Sequence, residues 1–465
     1  MNLSQFFEHW AIVENPFRGE EARTDAIFAR MGFSGRDTGE NAGPGRVRLV
    51  RPPTPATHAE FEKIVGELDR PSTSIVFGEK GSGKTAIRLQ IADRVARHNE
   101  DHPDRRVLLI PYDDLNSFLD HFARVTGGEK KKDDPFGSVR LVDHLDAIVS
   151  IGTGRIVNAL LTGSDRPPPA QIEEAGKRAR RMSLAARREL LLLQALYDTS
   201  DTTGARTAAL RRILRLSGSG PRALITTGVW VGWVPAAAVF IWGQFFSGLG
   251  DTTRTGLLIG AGVLMAMWLF LLLKVTLIDR VVDRHVAQRV SKQLRMVPRL
   301  SSGLTASMAK LDRTIAPTDA LPVSGSEETR YAMLARLQRV AGELGFPTLL
   351  VLMDRVDEPT LIRGDAERMR SIVWPMLSHK FLQHDGMAIK MLLPIELRHA
   401  LFKESSAFFQ EARLDKQNLV ERLSWTGAML YDLCNARLAS CRPVSAEPIS
   451  LADLFTEDVA RQDLV

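Results

Sequence analysis

The feature that most constrains this chain is a short stretch rich in glycine. It reads Gly78-Glu79-Lys80-Gly81-Ser82-Gly83-Lys84-Thr85, the pattern G-x-x-x-x-G-K-T. An apolar, partly β-branched run at residues 72–77 precedes it, and residues 86–95 carry apolar side chains at helical spacing. A strand, a glycine turn and a helix in this order form a phosphate-binding loop, because inward-turned N–H groups and the helix dipole both attract phosphate.

Two side chains of this loop have individual predicted roles. Lys84 is expected to reach the β- and γ-phosphates of a nucleotide, and Thr85 is expected to hold Mg²⁺ through its hydroxyl. We expect ATP rather than GTP, because no N-K-x-D guanine motif follows in the sequence. The predicted cofactors are therefore ATP and Mg²⁺, bound by the stretch from Gly78 to Thr85.

The acidic partner that such a loop requires lies far along the chain. An apolar run at residues 348–353 ends in Asp354, and Arg355-Val356-Asp357-Glu358 follows. A carboxylate at a strand tip holds the Mg²⁺ side of the site, and a second acid orients the attacking water. Asp354 is predicted as the metal-side acid, with Asp357 and Glu358 as candidates for polarising water.

Two further strand ends carry charged side chains. Residues 388–393 form a predicted strand; if it lies between the other two, Glu396 or Arg398 would sense the γ-phosphate. A plain helix-surface charge is the alternative for Arg398. Asp113 and Asp114 follow another apolar strand, and solvated loop acids are the favoured interpretation of that pair.

Two long apolar runs separate the glycine loop from the acidic strand. Residues 223–246 contain no charge, and residues 256–278 contain only Lys274. Each run is long enough to cross a bilayer core of ~30 Å at about 1.5 Å per residue. The linker between them is short and nearly neutral, so the sequence predicts a transmembrane hairpin.

The basic residues of the chain are concentrated on both outer sides of this hairpin. The net charge is only +6. The flanking cations are Arg211, Arg212, Arg215 and Arg222 before the hairpin, and Arg280, Arg284, Arg289, Lys292, Arg295 and Arg299 after it. By the positive-inside rule both flanks face the cytoplasm, where they would contact anionic lipid. Nucleic-acid binding is disfavoured, because no aromatic residues interleave with the basic helices.

These parts predict an α/β fold, a three-layer α/β/α parallel sheet interrupted by a helical insertion that carries the hairpin. Residues 171–199 are predicted as one helix, and residues 418–441 as one helix of a C-terminal lid. The predicted divisions are the N-terminal segment with the first part of the nucleotide domain at 1–128, a helical insertion at 129–221, the hairpin at 222–279, juxtamembrane and return helices at 280–345, and the second part of the nucleotide domain with its lid at 346–465.

The chain resembles the KAP family of phosphate-loop NTPases, within or beside the STAND class. A transmembrane hairpin between the phosphate loop and the acidic strand, and the D-x-h-D-E pattern from Asp354 to Glu358, carry this resemblance. KAP members more often have D-D-h-D-R, so Arg355 and Glu358 depart from the pattern, and the acid that orients water stays open. The resemblance implies Asp354 as the metal-linked acid, with Asp357 and Glu358 in the catalytic turn, and roles in phage exclusion or membrane scaffolding.

The predicted function is a membrane-anchored, cytoplasm-facing ATPase in which Mg-ATP binding and hydrolysis drive a conformational switch in signalling or phage defence. Lys84, Asp357, Glu358 and Arg398 are its predicted catalytic residues. We expect a multi-pass protein of the cell membrane, with the bacterial inner membrane favoured and the nucleotide domain in the cytoplasm. The alternative is a nucleotide-dependent membrane scaffold with little or no hydrolysis, which Arg355 beside Asp354 favours. A transporter ATPase is disfavoured, because one hairpin is a poor conduit unless chains form a homo-oligomer; a protein partner stays unidentified.

Overall fold

A parallel five-stranded sheet lies at the centre of the fold, which confirms the predicted α/β class. The computed structural model describes residues 2–19, 21–33, 49–50, 56–127, 134–162, 175–200, 202–216, 228–245, 250–274, 277, 279–309, 311, 321–455, 459 and 461–464. The strands are β1 (Ser74–Gly78), β2 (Val107–Tyr112), β3 (Thr348–Met353), β4 (Met387–Pro394) and β5 (Asn418–Val420). Their order in the sheet is β2-β3-β4-β1-β5, and every neighbouring pair is parallel.

Helices account for most of the remaining described chain. Those before the apolar hairpin are α1 (Leu3–His9), α2 (Ala26–Phe28, continued as a π-helix over Ala29–Phe33), α3 (Phe61–Val65), α4 (Lys84–Asp101), α5 (Asn116–Thr126), α6 (Leu141–Thr162), α7 (Ala175–Arg181), α8 (Leu184–Tyr197) and α9 (Thr203–Ile213). The apolar pair is α10 (Trp233–Phe245) and α11 (Asp251–Leu273).

The helices after the hairpin are α12 (Asp279–Gln293), α13 (Ser301–Met308), α14 (Glu327–Glu343), α15 (Ala366–Val373), α16 (His379–Leu382), α17 (Ile395–Leu401), α18 (Ser406–Ala412), α19 (Gly427–Ser440) and α20 (Arg461–Leu464). Short 3₁₀ turns occur at Pro135–Ser138, Trp374–Met376, Leu414–Lys416 and Ala452–Leu454.

Both faces of the sheet are covered by helices, as continuous apolar strands require. Side chains alternate along β1: Ile75 and Phe77 join a large apolar cluster that also contains side chains of α6, α8 and α14. Val76 joins a second cluster with α3 and α4. The strands are therefore buried on both sides, which explains why they are near-continuous runs of Val, Leu, Ile and Met in the sequence.

Strands β2 and β3 are neighbours although residues 113–347 lie between them in the chain. They pair in register from Val107 with Thr348 to Tyr112 with Met353. Because parallel neighbours end at the same edge of a sheet, the residues that follow each strand emerge side by side. Asp113 and Asp354 are those residues, and this placement determines the site described below.

Two details of the predicted helices are wrong. The continuous helix expected at residues 418–441 is instead strand β5, which pairs with β1, followed by α19 from Gly427. The helix expected over residues 171–199 is described only from residue 175, and it is broken between α7 and α8. Ser183 causes this break, because its hydroxyl accepts a hydrogen bond of 3.1 Å from the Ala186 N–H and caps α8.

Three helices of the described chain are long and apolar enough to cross a membrane. The first, Leu141–Thr162, is 72% buried inside the protein, whereas Gly228–Phe245 and Asp251–Leu273 are only 11% and 6% buried. The latter two pack against each other and leave their outer faces exposed. They match the predicted hairpin in position. Residues 223–227 and 246 of the first apolar run and residues 275–276 and 278 of the second lie outside the described residues.

Candidate functional site

The glycine loop joins the end of β1 to the start of α4, as the sequence predicts. Gly81 and Gly83 have φ values of +84° and +92°, in the left-handed region that favours glycine. At Gly78 a β-carbon would lie 2.4 Å from Ser82 Oγ, so any larger residue would require the Ser82 side chain to move. Glu79 and Lys80 are exposed at the tip of the loop, and Thr85 is half-buried in the first turn of α4.

Lys84 folds back over the loop. Its ammonium donates hydrogen bonds of 2.8 Å to the carbonyl oxygens of Gly78 and Glu79. The amine is therefore oriented by the loop backbone at the N-terminus of α4, the position where a bound phosphate gains most from the helix dipole.

Three carboxylates from two different strand tips act on Lys84. Burial lowers the pKa of its ammonium, and the negative charges of Asp357, Asp354 and Glu396 oppose that shift. Asp354 and Asp357 follow β3, whereas Glu396 lies in the first turn of the helix after β4. The fold thus brings the predicted acidic partner to the loop across the whole apolar hairpin region of the sequence.

Asp354 is the most buried of these acids, with 1% of its surface exposed. Burial raises its pKa to about 6, an effect that the Arg88 charge and the Arg355 backbone N–H partly oppose. Its Oδ2 atom has no hydrogen-bond partner among the described residues, although Arg88 Nε lies 3.3 Å away. A buried carboxylate oxygen without a hydrogen-bond donor is available to a cation or to its water shell.

The two water-polarising candidates differ in their surroundings. Glu358 is exposed and forms an ion pair of 3.1 Å with Arg355. Arg355 itself has a φ of +62°, uncommon for a residue other than glycine, and this kink starts the acidic turn. Asp357 is half-buried, and its charge acts on Lys84, whereas that of Glu358 is not among the influences on Lys84.

Strand β4 lies between β1 and β3, which is the condition set above for a role of Glu396 or Arg398. Arg398 is half-buried, stacks over the Phe402 ring at 4.7 Å, and forms a hydrogen-bonded ion pair of 2.7 Å with Glu421. It therefore contacts the segment after β5 rather than the loop. Glu396 is exposed, and its charge acts on Lys84.

Sequence reasoning missed a cationic side chain beneath the loop. Arg88 is one helical turn after Lys84 and contacts both Asp113 and Asp354. Asp113 also accepts a hydrogen bond of 3.0 Å from Arg23, so it is a paired, largely buried acid. The interpretation as a solvated loop acid is therefore wrong for Asp113, whereas the exposed Asp114 agrees with it. The available signal was the i, i+4 spacing of Lys84 and Arg88, which places both on one helix face.

The segment after β5 holds the loop from outside, which sequence reasoning also missed. The Leu423 N–H donates to the Phe77 carbonyl at 2.7 Å. The Trp425 indole N–H donates to the Ser82 carbonyl at 2.9 Å. Arg422 pairs with Glu79 at 2.7 Å. These contacts fix the loop against a neighbouring part of the fold, and nothing in the local sequence of that segment indicates them.

The side chains present fit a nucleotide with Mg²⁺. Ser82 Oγ and Asp354 Oδ2 are buried and lack hydrogen-bond partners among the described residues. Within that part of the chain no group of three or more His, Cys, Asp or Glu could hold a metal ion alone. A cation here would depend on one or two protein oxygens together with phosphate oxygens, which is how proteins usually bind Mg²⁺.

Residues that would hold Mg²⁺ are therefore Asp354 and Thr85, and the loop from Gly78 to Thr85 would hold the phosphates. Comparison of the chain with models of known protein families, with curated protein sequences and with solved structures gives no match.

Proposed function

We propose that this chain is a phosphate-loop ATPase of the KAP type, anchored in a cell membrane by its apolar hairpin, with the nucleotide site on the cytoplasmic side. The observation that carries the proposal is that the ends of β3 and β4, which bear Asp354, Asp357 and Glu396, lie at the same edge of the sheet as the loop, where these charges act on Lys84. A glycine turn formed by chance has no reason to attract acids from two separate strands. A phosphate loop requires them, on the metal side and beside the attacking water.

Each residue of the proposed site has a distinct role. Backbone N–H groups of the loop and the Lys84 ammonium bind phosphate oxygens and stabilise the charge that develops on them. Bound Mg²⁺ would neutralise further phosphate charge. Asp357 orients water, since it is half-buried near Lys84, whereas Glu358 is exposed and paired with Arg355. Arg398 reaches the nucleotide only by leaving Glu421.

The hairpin supports the membrane part of the proposal. Its outer faces expose large apolar side chains, and insertion into lipid would remove this apolar surface from water, which is favourable. Trp230 is 77% exposed near the start of the first helix. Trp268, near the end of the second, donates its indole N–H to the Val229 carbonyl at 3.0 Å. Tryptophans at one end of an antiparallel helix pair are typical of a membrane–water interface.

Contacts at the end of the juxtamembrane helix support a coupling between hairpin and nucleotide site. Arg295, two residues after α12, donates hydrogen bonds of 3.1 and 2.6 Å to the buried Asp143 of α6. The sulfur of Met296 accepts a weak hydrogen bond of 3.7 Å from the Tyr112 hydroxyl. Tyr112 is the last residue of β2, directly before Asp113. A shift of α12 would thus act on the strand tip beside the site.

Hydrolysis is tested by comparing two acids of the same turn. In purified full-length protein, we expect D357N to lower the rate of Mg-ATP hydrolysis by about 100-fold or more, because it removes the group that orients water. E358Q should lower that rate by no more than about threefold, because an exposed ion pair contributes little. Phosphate release measures both rates.

A larger loss in E358Q than in D357N would assign the water-orienting role to Glu358 instead. Tight ATP binding without phosphate release by the wild-type protein would favour the second candidate, a nucleotide-dependent membrane scaffold. The ion pair that holds Glu358 on Arg355 is the observation behind that candidate.

Membrane anchoring is tested by removing the hairpin. The wild-type chain should stay with the membrane pellet after an alkaline carbonate wash, which strips peripheral proteins. Deletion of residues 222–278 should move most of the protein to the supernatant, because the exposed apolar surface is then gone. Immunoblotting of the two fractions measures the shift. Complete extraction of the wild-type chain by carbonate would contradict insertion of the hairpin.

A further inference from the structure

Arg88 occupies a singular position in the site, between two carboxylates from neighbouring strand tips. Asp113 follows β2 and Asp354 follows β3, and these strands are paired to their last residues, Tyr112 and Met353. The Arg88 side chain is only 11% exposed, and Asp113 and Asp354 are 15% and 2% exposed. A buried cation shared by two buried acids is expensive to desolvate, so its geometry needs an explanation.

The two contacts of Arg88 are not equivalent. Its NH1 group is hydrogen-bonded to Asp113, and Arg23 holds the same carboxylate oxygen from the other side at 3.0 Å. Arg88 Nε and Asp354 Oδ2 are 3.3 Å apart, yet both atoms lack a hydrogen-bond partner among the described residues. The guanidinium is thus hydrogen-bonded to Asp113, whereas it lies close to Asp354 without donating a hydrogen bond to it.

We propose that Arg88 is a positioning residue for Asp354: anchored on Asp113, it restrains the Asp354 carboxylate by charge at the strand tip and does not use the hydrogen-bonding capacity of Oδ2, which the water shell of Mg²⁺ would need. This inference rests on the proposed nucleotide site. The guanidinium is hydrogen-bonded to Asp113 through its NH1 group, and in this orientation its Nε approaches Asp354 Oδ2 without forming a hydrogen bond. The attraction that remains restrains the second acid without occupying it.

The consequence separates this role from that of an ordinary buried ion pair. A purely structural pair would stabilise the fold and would affect nucleotide binding equally with and without the cation. A positioning role affects only the part of nucleotide affinity that depends on Mg²⁺. The ratio of ATP affinity measured with Mg²⁺ to that measured with EDTA is therefore the decisive quantity.

The experiment measures this ratio in the full-length protein in detergent, by calorimetry with ATP plus MgCl₂ and with ATP plus EDTA. We expect R88Q and D113N each to reduce the Mg²⁺-dependent gain in ATP affinity by about tenfold or more, with the affinity in EDTA within twofold of wild type. The double variant should lose no more than either single variant, because the two residues act as one unit. R88K should lose most of the gain, since lysine keeps the charge without the planar fork.

R94Q is the matched control, because Arg94 lies on the same helix, is 53% exposed and is 3.9 Å from its nearest acid, Glu62. It should change neither affinity. Thermal unfolding verifies that each variant is folded, and D113N, which keeps the shape of the acid, carries the test if R88Q does not fold.

Three results would overturn the positioning role while leaving the nucleotide site intact. The Mg²⁺-dependent gain in ATP affinity could be unchanged in the variants, the affinities with MgCl₂ and with EDTA could fall by the same factor, or the losses of R88Q and D113N could add in the double variant. If the wild-type protein binds no ATP under either condition, the proposed function fails, and the role of Arg88 fails with it.

Discussion

Replacement of Lys84 by alanine is expected to lower Mg-ATP hydrolysis by at least about 100-fold, because it removes the ammonium that, in the proposed ATPase, stabilises charge on the transferred phosphate. In the structure this ammonium donates hydrogen bonds to the Gly78 and Glu79 carbonyl oxygens, and the charges of three carboxylates act on it. A bound phosphate would accept hydrogen bonds from the Lys84 ammonium in place of the two carbonyl oxygens. Hydrogen bonds between an ammonium and a phosphate are stronger because both partners are charged. Phosphate release at saturating Mg-ATP measures the effect.

The control for this variant is K80A in the same loop. Lys80 is exposed at the loop tip, so its removal should leave the hydrolysis rate within about threefold of wild type. Equal losses in both variants would indicate a general attraction for anions rather than a specific phosphate contact. Hydrolysis at the wild-type rate in K84A would show that turnover occurs elsewhere in the chain or in a contaminant.

The second large effect is expected at Arg330, far from the loop. This arginine is 1% exposed and donates to Asp146 Oδ2 at 3.0 Å, to the Ser324 carbonyl at 2.6 Å and to the Gln293 carbonyl at 3.3 Å. Removing one partner of a buried ion pair leaves an uncompensated charge and costs roughly 3–5 kcal/mol. R330A should therefore lower the free energy of unfolding by about that amount, measured by urea denaturation in detergent.

Arg339 on the same helix provides the matched control. It is 55% exposed and pairs with Glu189 at 2.7 Å, so R339A should cost no more than ~1 kcal/mol. The double variant D146L/R330M replaces both buried charges by apolar groups and should recover most of the loss. A loss in R330A as small as that in R339A would mean that the Asp146 carboxylate finds another partner or water.

Arg330 also matters for the proposed switch. Gln293 is the last residue of α12, the helix that follows the apolar hairpin, and Asp146 lies on α6, so the arginine joins the two helices. With Arg295 on Asp143, it fixes the end of α12 inside the helical cluster that covers one face of the sheet. The buried charges of α6 explain why this helix, although apolar enough to cross a membrane, belongs to the interior of the fold.

Much of the site could be predicted because its chemistry is local. The strand before the loop, the glycines at Gly81 and Gly83 with positive φ, and the helix that begins at Lys84 all follow from neighbouring residues. The apolar strand that ends in Asp354 is equally local. Periodicity and backbone freedom report these features because they depend on residues only a few positions apart.

Strand β5 shows where such reasoning ends. Asn418–Val420 is too short to have a recognisable period, and it is extended because it pairs with β1 at the edge of the sheet. The Asn418 N–H donates to the Thr73 carbonyl at 3.1 Å, and its side chain donates to Ser72 Oγ at 2.8 Å. Residues 418–420 are extended because they contact residues hundreds of positions away in the sequence. The helical pattern that begins a few residues later is the reason why the prediction of one helix over residues 418–441 is wrong.

The sequence by itself determined the backbone of the glycine loop, the acidic strand end and the two apolar helices, because each depends on side chains and backbone freedom within one short segment. Only the tertiary structure decided that β4 lies between β1 and β3, that Arg88 joins Asp113 to Asp354, and that Glu358 pairs with Arg355 while the charge of Asp357 acts on Lys84. The order of strands in a sheet and the partner of a buried charge are set by the packing of distant segments, which no local pattern encodes.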